Sequence, residues 1–188
     1  MDILSRRQIS GGIGLAAAGM SLLGISRVQA ATTPANSSGE ITGTNAAIHQ
    51  EVSFNATAAQ IYAALTIAEQ FDKVVQLSAA KQMAGMSLGS TPTQIDARPG
   101  GAFALYGGYV TGFNLELVPD TRLVQAWRAG SWAPGIYSTA RFVLSQHDAR
   151  AMLMFDHTGF PNEAAQHLAT GWHVNYWEPL AKALMASR

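Results

Sequence analysis

The sequence contains no cysteine and little charge, and both deficits narrow the classes of protein that it can encode. Without cysteine, its 188 residues cannot form disulfides, thiolate zinc sites or a cysteine-linked lipid anchor. Charged residues make up only 13% of the chain, and 12 Lys and Arg balance 12 Asp and Glu. Nucleic acid and anionic lipid both attract proteins with a basic face, so the composition favours neither as a partner.

Histidines at metal-binding spacing are also lacking. Side chains three or four residues apart share a face of a helix, whereas His167 and His173 are six apart, and the chain has no HExxH-like pair. A metal site needs three or four ligands that converge on one point. We therefore expect no metal and no cofactor.

The first 30 residues have the pattern of an export signal. Arg6 and Arg7 precede an uncharged run rich in Gly and Ala, which ends in the small-x-small cleavage pattern Val28–Ala30. Its glycines and serines make the run a poor transmembrane anchor, and the arginine pair resembles a twin-arginine signal. We predict a cleaved signal peptide at 1–30, a periplasmic location without a stable membrane anchor, and a flexible leader at 31–46.

The C-terminal part of the chain predicts one long amphipathic helix. An apolar stripe with a spacing of four residues comprises Leu168, Trp172, Tyr176, Leu180 and Leu184. Pro179 lies inside this run and cannot donate to the carbonyl group of Asn175, so we expect the helix to bend there. Such a broad aromatic face has to pack against an equally broad apolar surface.

The residues before this helix predict a strand, two short helices and an antiparallel meander. Ile48–Phe54 alternates apolar and polar residues, as a strand does. Thr57–Gln60 has capping-box spacing for one helix, and Thr66–Glu69 repeats it for a second. From Thr93 to His157, short strands follow one another through turns of Gly, Pro and Asp. Residues 79–92 show no clear period.

Titratable residues on the strands offer few catalytic arrangements. Asp156 and His157 are neighbours on a strand and point to opposite faces, so they cannot form an orienting pair. We expect His157 to be a structural histidine that is hydrogen-bonded to the following turn. Glu116 and Arg128 are candidates for an ion pair across the sheet, and a position on its outer face is the simpler interpretation.

The order of these elements resembles the START-like helix-grip superfamily, also called SRPBCC. Within it, the chain resembles the branch named for the activator of heat-shock-protein (Hsp) ATPase homologues. The matching stretches are Ala56–Thr66, Gly100–Phe103, Gly112–Leu123, Trp127–Arg128 and His157–Leu180. The resemblance implies an α+β domain over 47–188, in which a curved antiparallel sheet wraps around a long C-terminal helix and two short helices follow the first strand.

The resemblance also implies a cavity between sheet and helix that takes an apolar small molecule or a lipid. Candidate cavity residues are Phe103, Tyr109, Trp127, Trp132, His157, Trp172 and Tyr176. Of these, Trp132 lies in a loop rich in Gly, Ser and Pro, where it either closes the cavity mouth or caps the edge of the core.

Three functions are compatible with the sequence. The leading hypothesis is an exported protein that binds or carries an apolar ligand, because aromatic walls with few polar groups suit binding more than bond-making. An enzyme of the cyclase, isomerase or hydrolase type is the second, with His157, Glu116 or Tyr109 as acid or base. A protein-binding or co-chaperone-like module, or a homodimer using an apolar outer sheet face, is the third, although an exported protein would not meet a cytosolic chaperone.

Overall fold

The computed structural model describes residues 40–41, 47–83 and 88–186, so the predicted signal peptide and most of the predicted leader lie outside the described residues. The strands are β1 Glu40–Ile41, β2 Ala47–Phe54, β3 Gln94–Ile95, β4 Ala102–Leu105, β5 Val110–Val118, β6 Arg122–Ala129, β7 Ser138–His147 and β8 Arg150–Thr158. The helices are α1 Ala58–Thr66, α2 Ala68–Leu77, α3 Ala79–Gln82, α4 Ala165–Trp172 and α5 Glu178–Ala186, and the π-helical turn His173–Trp177 joins α4 to α5.

All the strands belong to one antiparallel sheet in the order β1-β2-β8-β7-β6-β5-β4-β3. The first long strand therefore pairs with the last, and the meander runs outward from β8 to β3. This topology, with two short helices after β2 and a long C-terminal helix, confirms the predicted helix-grip fold. Two residues of the predicted leader form the short edge strand β1.

The two short helices are present, but only one of their predicted caps is. At the start of α1 the Thr57 hydroxyl accepts from the backbone N–H of Gln60, while the Gln60 side chain accepts from the backbone N–H of Thr57. The second capping box is wrong, because Ile67 occupies the N-cap of α2. Thr66 instead donates its hydroxyl to the Tyr62 carbonyl oxygen at 2.7 Å, as a threonine in the last turn of a helix can.

The predicted apolar stripe of the C-terminal helix is buried throughout, since Leu168, Trp172, Tyr176, Leu180 and Leu184 are all at most 8% exposed. In a regular α-helix a spacing of four advances by about 40° per step, so the stripe would drift off one face. The π turn holds more residues per turn and counteracts that drift. It also brings Trp177 onto the buried side, where the ring is 2% exposed.

The π turn lies just before Pro179, at the position where the sequence predicted a bend. The Glu178 N–H bonds to the carbonyl group of His173, five residues back, and Pro179 has no N–H to give to Asn175. The freed carbonyl oxygen of Asn175 accepts instead from the Tyr106 hydroxyl at 2.6 Å. Tyr106 follows β4 with a positive φ of 54°, which directs its ring to the helix.

Buried polar contacts fix the helix on the inner face of the sheet. Gln50 of β2 is 6% exposed, its amide nitrogen donates to the carbonyl group of Ala169 at 3.0 Å, and its amide oxygen accepts from the Trp177 indole at 2.6 Å. Both polar ends of the amide are therefore satisfied inside the core, as burial requires. Within the described residues, no helix is long and apolar enough to cross a membrane.

The outer face of the sheet carries ion pairs, but not the predicted one. Glu116 pairs with Arg122 on the neighbouring strand, and this guanidinium holds the pKa of the Glu116 carboxyl below its usual range. The pairing of Glu116 with Arg128 is wrong, because the register of the β5–β6 hairpin places Val124 opposite Glu116 and Arg128 several residues further along. Arg128 lies opposite Thr111 and donates to the carbonyl oxygen of Trp132 at 2.6 Å.

Candidate functional site: an aromatic cavity between sheet and helix

A cavity of about 330 Å³ lies between the sheet and the C-terminal helix. Strands β5 and β6 supply one wall, α4 and the π turn supply another, and residues near α3 complete it. The lining residues are Ala80, Leu88, Tyr106, Tyr109, Val110, Trp127, Ala129, Ser131, Trp132, Ala164, His167, Leu168, Gly171, Trp172, Asn175 and Tyr176. None of them is Asp, Glu, Lys or Arg, so the described lining favours an uncharged ligand.

Aromatic rings in mutual contact form the inner wall. The Trp127 ring centroid lies 5.4 Å from that of Trp132 and 5.5 Å from that of Trp172. Trp172 lies 4.2 Å from Tyr176, and Tyr176 lies 5.5 Å from Tyr106. Contacts of this kind stabilise the rings beyond their buried area and hold their orientations. The cavity therefore has a preformed wall rather than one assembled by the ligand.

His157 supports this wall from behind through a fully satisfied hydrogen-bond chain. The hydroxyl of Ser138 donates to the Trp127 carbonyl oxygen at 2.9 Å and lies 2.6 Å from Nε2 of His157. Because that hydroxyl hydrogen is used, Nε2 carries the proton and donates to Ser138. The indole N–H of Trp172 donates to Nδ1 of His157 at 3.0 Å. The neutral tautomer thus uses both ring nitrogens.

Burial lowers the pKa of His157 from 6.5 to about 3. The imidazole is 0% exposed, and Nδ1 cannot take up a proton without losing the bond from Trp172. His157 is therefore neutral at physiological pH and acts as a structural residue. Its bonding partners are on β7 and α4, not in the following turn as predicted.

Two buried tyrosines face the cavity, and their hydroxyl groups play different hydrogen-bonding roles. Tyr106 donates to the carbonyl group of Asn175 and so helps to fix the π turn. Tyr176 accepts from the indole N–H of Trp127 at 3.5 Å, which is at the outer limit for a hydrogen bond. Burial raises the pKa of both phenols, so both remain protonated.

Polar groups concentrate toward the cavity mouth. Tyr109 is 45% exposed, and its hydroxyl lies 3.1 Å from the hydroxyl of Ser131. The side-chain oxygen of Asn175 accepts from the backbone N–H of Ala80 at 2.8 Å, which joins the start of α3 to the π turn. His167 also lines this region, on the exposed side of α4.

The structure places five of the seven predicted cavity residues on the lining: Tyr109, Trp127, Trp132, Trp172 and Tyr176. Among the described residues, Phe103 and His157 are not part of that lining. Phe103 is 3% exposed and packs beneath Gly112, where an added Cβ would lie 2.5 Å from its ring. His157 lies one layer behind the cavity wall.

Two contributors to the site escaped sequence reasoning: Ser138 of the His157 chain, and Tyr106 with its bond to Asn175. Tyr106 precedes two glycines, at the point where the periodic strand pattern ends. Its role in fixing the π turn is therefore visible only from its hydrogen bond to Asn175 in the structure. Ser138 begins a strand and is 4% exposed, a degree of burial that its residue type does not suggest.

The acid–base residues considered for an enzyme do not meet in this cavity. Glu116 lies on the outer sheet face with Arg122, and His157 is buried as a neutral imidazole. Over residues 47–83 and 88–186, the side chains of His, Asp and Glu form no cluster that could hold a metal ion.

Sequence comparison identifies the fold family directly. The family described as "Activator of Hsp90 ATPase homolog 1-like protein" matches residues 55–185, which is more than half of the chain. The chain belongs to this family.

The human activator of 90 kDa heat shock protein ATPase homolog 1 is 29% identical over 87 residues, 46% of this chain and 26% of the human protein. A mouse homolog 2 is 22% identical over 134 residues, 71% of this chain and 36% of the relative. The chain thus spans well under half the length of these relatives.

Several solved structures share the fold at low sequence identity. An HSP90 activator from Plasmodium falciparum superposes with a TM-score of 0.61 at 16% identity, covering 74% of this chain and 96% of that one. CalU16 from Micromonospora echinospora gives 0.58 at 17% identity over 76% and 78%. The Aha1 dimer from Colwellia psychrerythraea gives 0.51 at 18% identity over 73% and 95%. At these identities the similarity establishes the fold alone.

Proposed function

We propose that this domain binds an uncharged apolar small molecule in the cavity between the sheet and the C-terminal helix. The observation that carries the proposal is the described lining, which combines aromatic rings in mutual contact with no Asp, Glu, Lys or Arg side chain. Small-molecule sites are concave and mostly apolar with a few polar groups, and their volumes begin at about 300 Å³. The cavity lies at the small end of that range, which favours a compact ring system over a long-chain lipid.

Gly171 offers a way to fill the cavity without disturbing its walls. It lines the cavity on α4, and an added Cβ would find only the Asn175 amide nitrogen, at 4.0 Å. Asn175 is four residues further along the same helix and also lines the cavity, so a side chain at 171 extends into the ligand space.

We expect Gly171→Leu to weaken binding of the neutral fluorescent probe N-phenyl-1-naphthylamine at least tenfold, because the new side chain occupies the probe's volume. The same change should keep or raise stability, since glycine inside a helix costs about 0.5–1 kcal/mol relative to alanine. Probe fluorescence measures binding, and thermal unfolding measures stability.

Gly171→Ala is the matched control, because it gives the same helix benefit with little added volume. It should retain most of the probe affinity. Equal probe affinity in the wild type and Gly171→Leu would show that the probe binds elsewhere, and would contradict the proposed site.

We further propose that the protein is exported to the periplasm by the twin-arginine route. The supporting pattern is the arginine pair, the weakly apolar run and the small-x-small site within residues 1–30. Replacing Arg6 and Arg7 with lysines should retain the precursor in the cytoplasm. The exported wild type should begin at or next to Ala31 on N-terminal sequencing; an unprocessed Met1 in the periplasm would refute cleavage.

A co-chaperone-like role is the second candidate, favoured by family membership and by relatives named as activators of a heat shock protein ATPase. Contact with a partner, or with a second copy, would use the outer sheet face, where Phe113, Met152 and Met154 are between 36% and 42% exposed. Stimulation of the ATPase rate of a purified 90 kDa heat shock protein would support this candidate. Concentration-dependent size in solution would support a homodimer.

A further inference from the structure

Two hydrogen-bond donors of the inner cavity wall are poorly matched by protein acceptors. Tyr176 is 6% exposed, and its hydroxyl group accepts one long hydrogen bond from the indole N–H of Trp127. Among the residues that the structure describes, no acceptor receives the hydroxyl hydrogen of Tyr176. Within the described part of the chain, the indole N–H of Trp127 has one acceptor, that same hydroxyl group at 3.5 Å.

Three other buried donors around the C-terminal helix have protein acceptors at 2.6–3.0 Å. Trp172 donates its N–H to His157, Tyr106 donates its hydroxyl to Asn175, and Trp177 donates its N–H to Gln50. Buried polar groups are normally well hydrogen-bonded, so the Tyr176 hydroxyl hydrogen and the long bond from Trp127 call for an explanation. Both donors belong to residues that line the cavity, so a ligand atom can supply the missing acceptor.

We propose that the natural ligand carries a carbonyl oxygen, as a cyclic ketone, quinone or lactone does, and that Tyr176 and Trp127 donate to it. This inference rests on the proposed binding function and narrows its ligand class. A carbonyl oxygen has two lone pairs and can accept from both donors at once. It is neutral, in keeping with the absence of Asp, Glu, Lys and Arg from the described lining. The rest of the ligand contacts the faces of Trp127, Trp172 and Tyr176.

Fluorenone and fluorene form a probe pair that isolates the carbonyl group. They share the same planar three-ring body and differ mainly at one ring position, a carbonyl group in one and a methylene in the other. Transfer of a carbonyl group from water into a purely apolar site is unfavourable, so an apolar cavity would prefer fluorene. A preference for fluorenone therefore reports donors that reach its oxygen.

We expect the wild type to bind fluorenone roughly threefold to tenfold more tightly than fluorene, as measured by quenching of tryptophan fluorescence. Tyr176→Phe removes one donor and keeps the ring, so it should abolish most of this preference while fluorene affinity stays. The infrared carbonyl band of bound fluorenone should lie at lower wavenumber in the wild type than in Tyr176→Phe.

Tyr137→Phe is the matched control, because it also removes one phenolic hydroxyl group, but from a tyrosine that is 42% exposed and is not part of the described cavity lining. It should leave the fluorenone preference unchanged. Equal or tighter binding of fluorene by the wild type, or an unchanged preference in Tyr176→Phe, would overturn the carbonyl assignment while leaving apolar binding intact. If the wild type bound neither probe, the proposed function itself would fail.

Discussion

Replacing Trp172 with alanine is expected to lower the free energy of unfolding by about 3–5 kcal/mol, the usual cost of deleting a buried large aromatic side chain. The Trp172 ring is 2% exposed and contacts Phe155 at a centroid distance of 4.3 Å and Tyr176 at 4.2 Å. Its loss also leaves Nδ1 of His157 buried without a donor. Chemical denaturation measures the change.

Met185→Ala is the appropriate control for this measurement. Met185 lies on α5 of the same C-terminal helix and is 56% exposed, so its truncation should change stability by no more than about 0.5 kcal/mol. A cost below about 1 kcal/mol for Trp172→Ala would mean that the ring does not organise the contact between helix and sheet.

Acidification is expected to lower the free energy of unfolding through His157, because the pKa of His157 is lower in the folded protein than in the unfolded chain. The folded-state pKa is about 3 and the ordinary value is 6.5, so between these pH values the unfolded chain binds more protons. The free energy of unfolding therefore falls as the pH decreases. Between neutral pH and about pH 3, the contribution of His157 to this fall is on the order of 4 kcal/mol.

Comparison with His157→Gln isolates this contribution from other groups that titrate in acid. The variant should be less stable than the wild type at neutral pH, and the gap should narrow as the pH falls toward about 4. A gap that stays constant with pH would show that His157 is not held neutral in the folded protein.

His49 provides a control of opposite sign. On the half-exposed outer face, the hydrogen bond that the His49 imidazole donates to the Asp156 carboxylate at 2.7 Å raises the pKa of His49. Its stabilising contribution is present below the unfolded pKa and disappears as the pH rises through the folded one. The gap between the wild type and His49→Gln should therefore narrow with rising pH, the reverse of His157→Gln.

The fold followed from the sequence because its patterns are local and strong. The stripe from Leu168 to Leu184 identified the helix, and the capping box at Thr57 identified the start of α1. The bend at Pro179 was expected near Asn175, since a missing N–H has a fixed partner four residues back. Its form, a π turn stabilised by Tyr106, depends on a contact between residues 69 positions apart.

The site was less predictable because its chemistry depends on which neighbouring groups form hydrogen bonds or ion pairs with each polar side chain. His157 was recognisable as structural, yet Ser138 and Trp172 as its partners depend on the register of β7 with β8. The predicted partner of Glu116 was mistaken because the hairpin register places Arg128 opposite Thr111, while a β-bulge puts Glu116 on the same face of the sheet as Arg122. Periodicity does not reveal a bulge of one residue.

Native mass spectrometry of the protein purified from its own cells tests the central claim most directly. The account predicts that the wild type retains one apolar compound per chain, that organic extraction removes it, and that Gly171→Leu lacks it while remaining folded. If the wild type and Gly171→Leu retained the compound equally, binding in this cavity would be contradicted. The same conclusion would follow if the wild type carried no compound and also failed to bind fluorenone and fluorene.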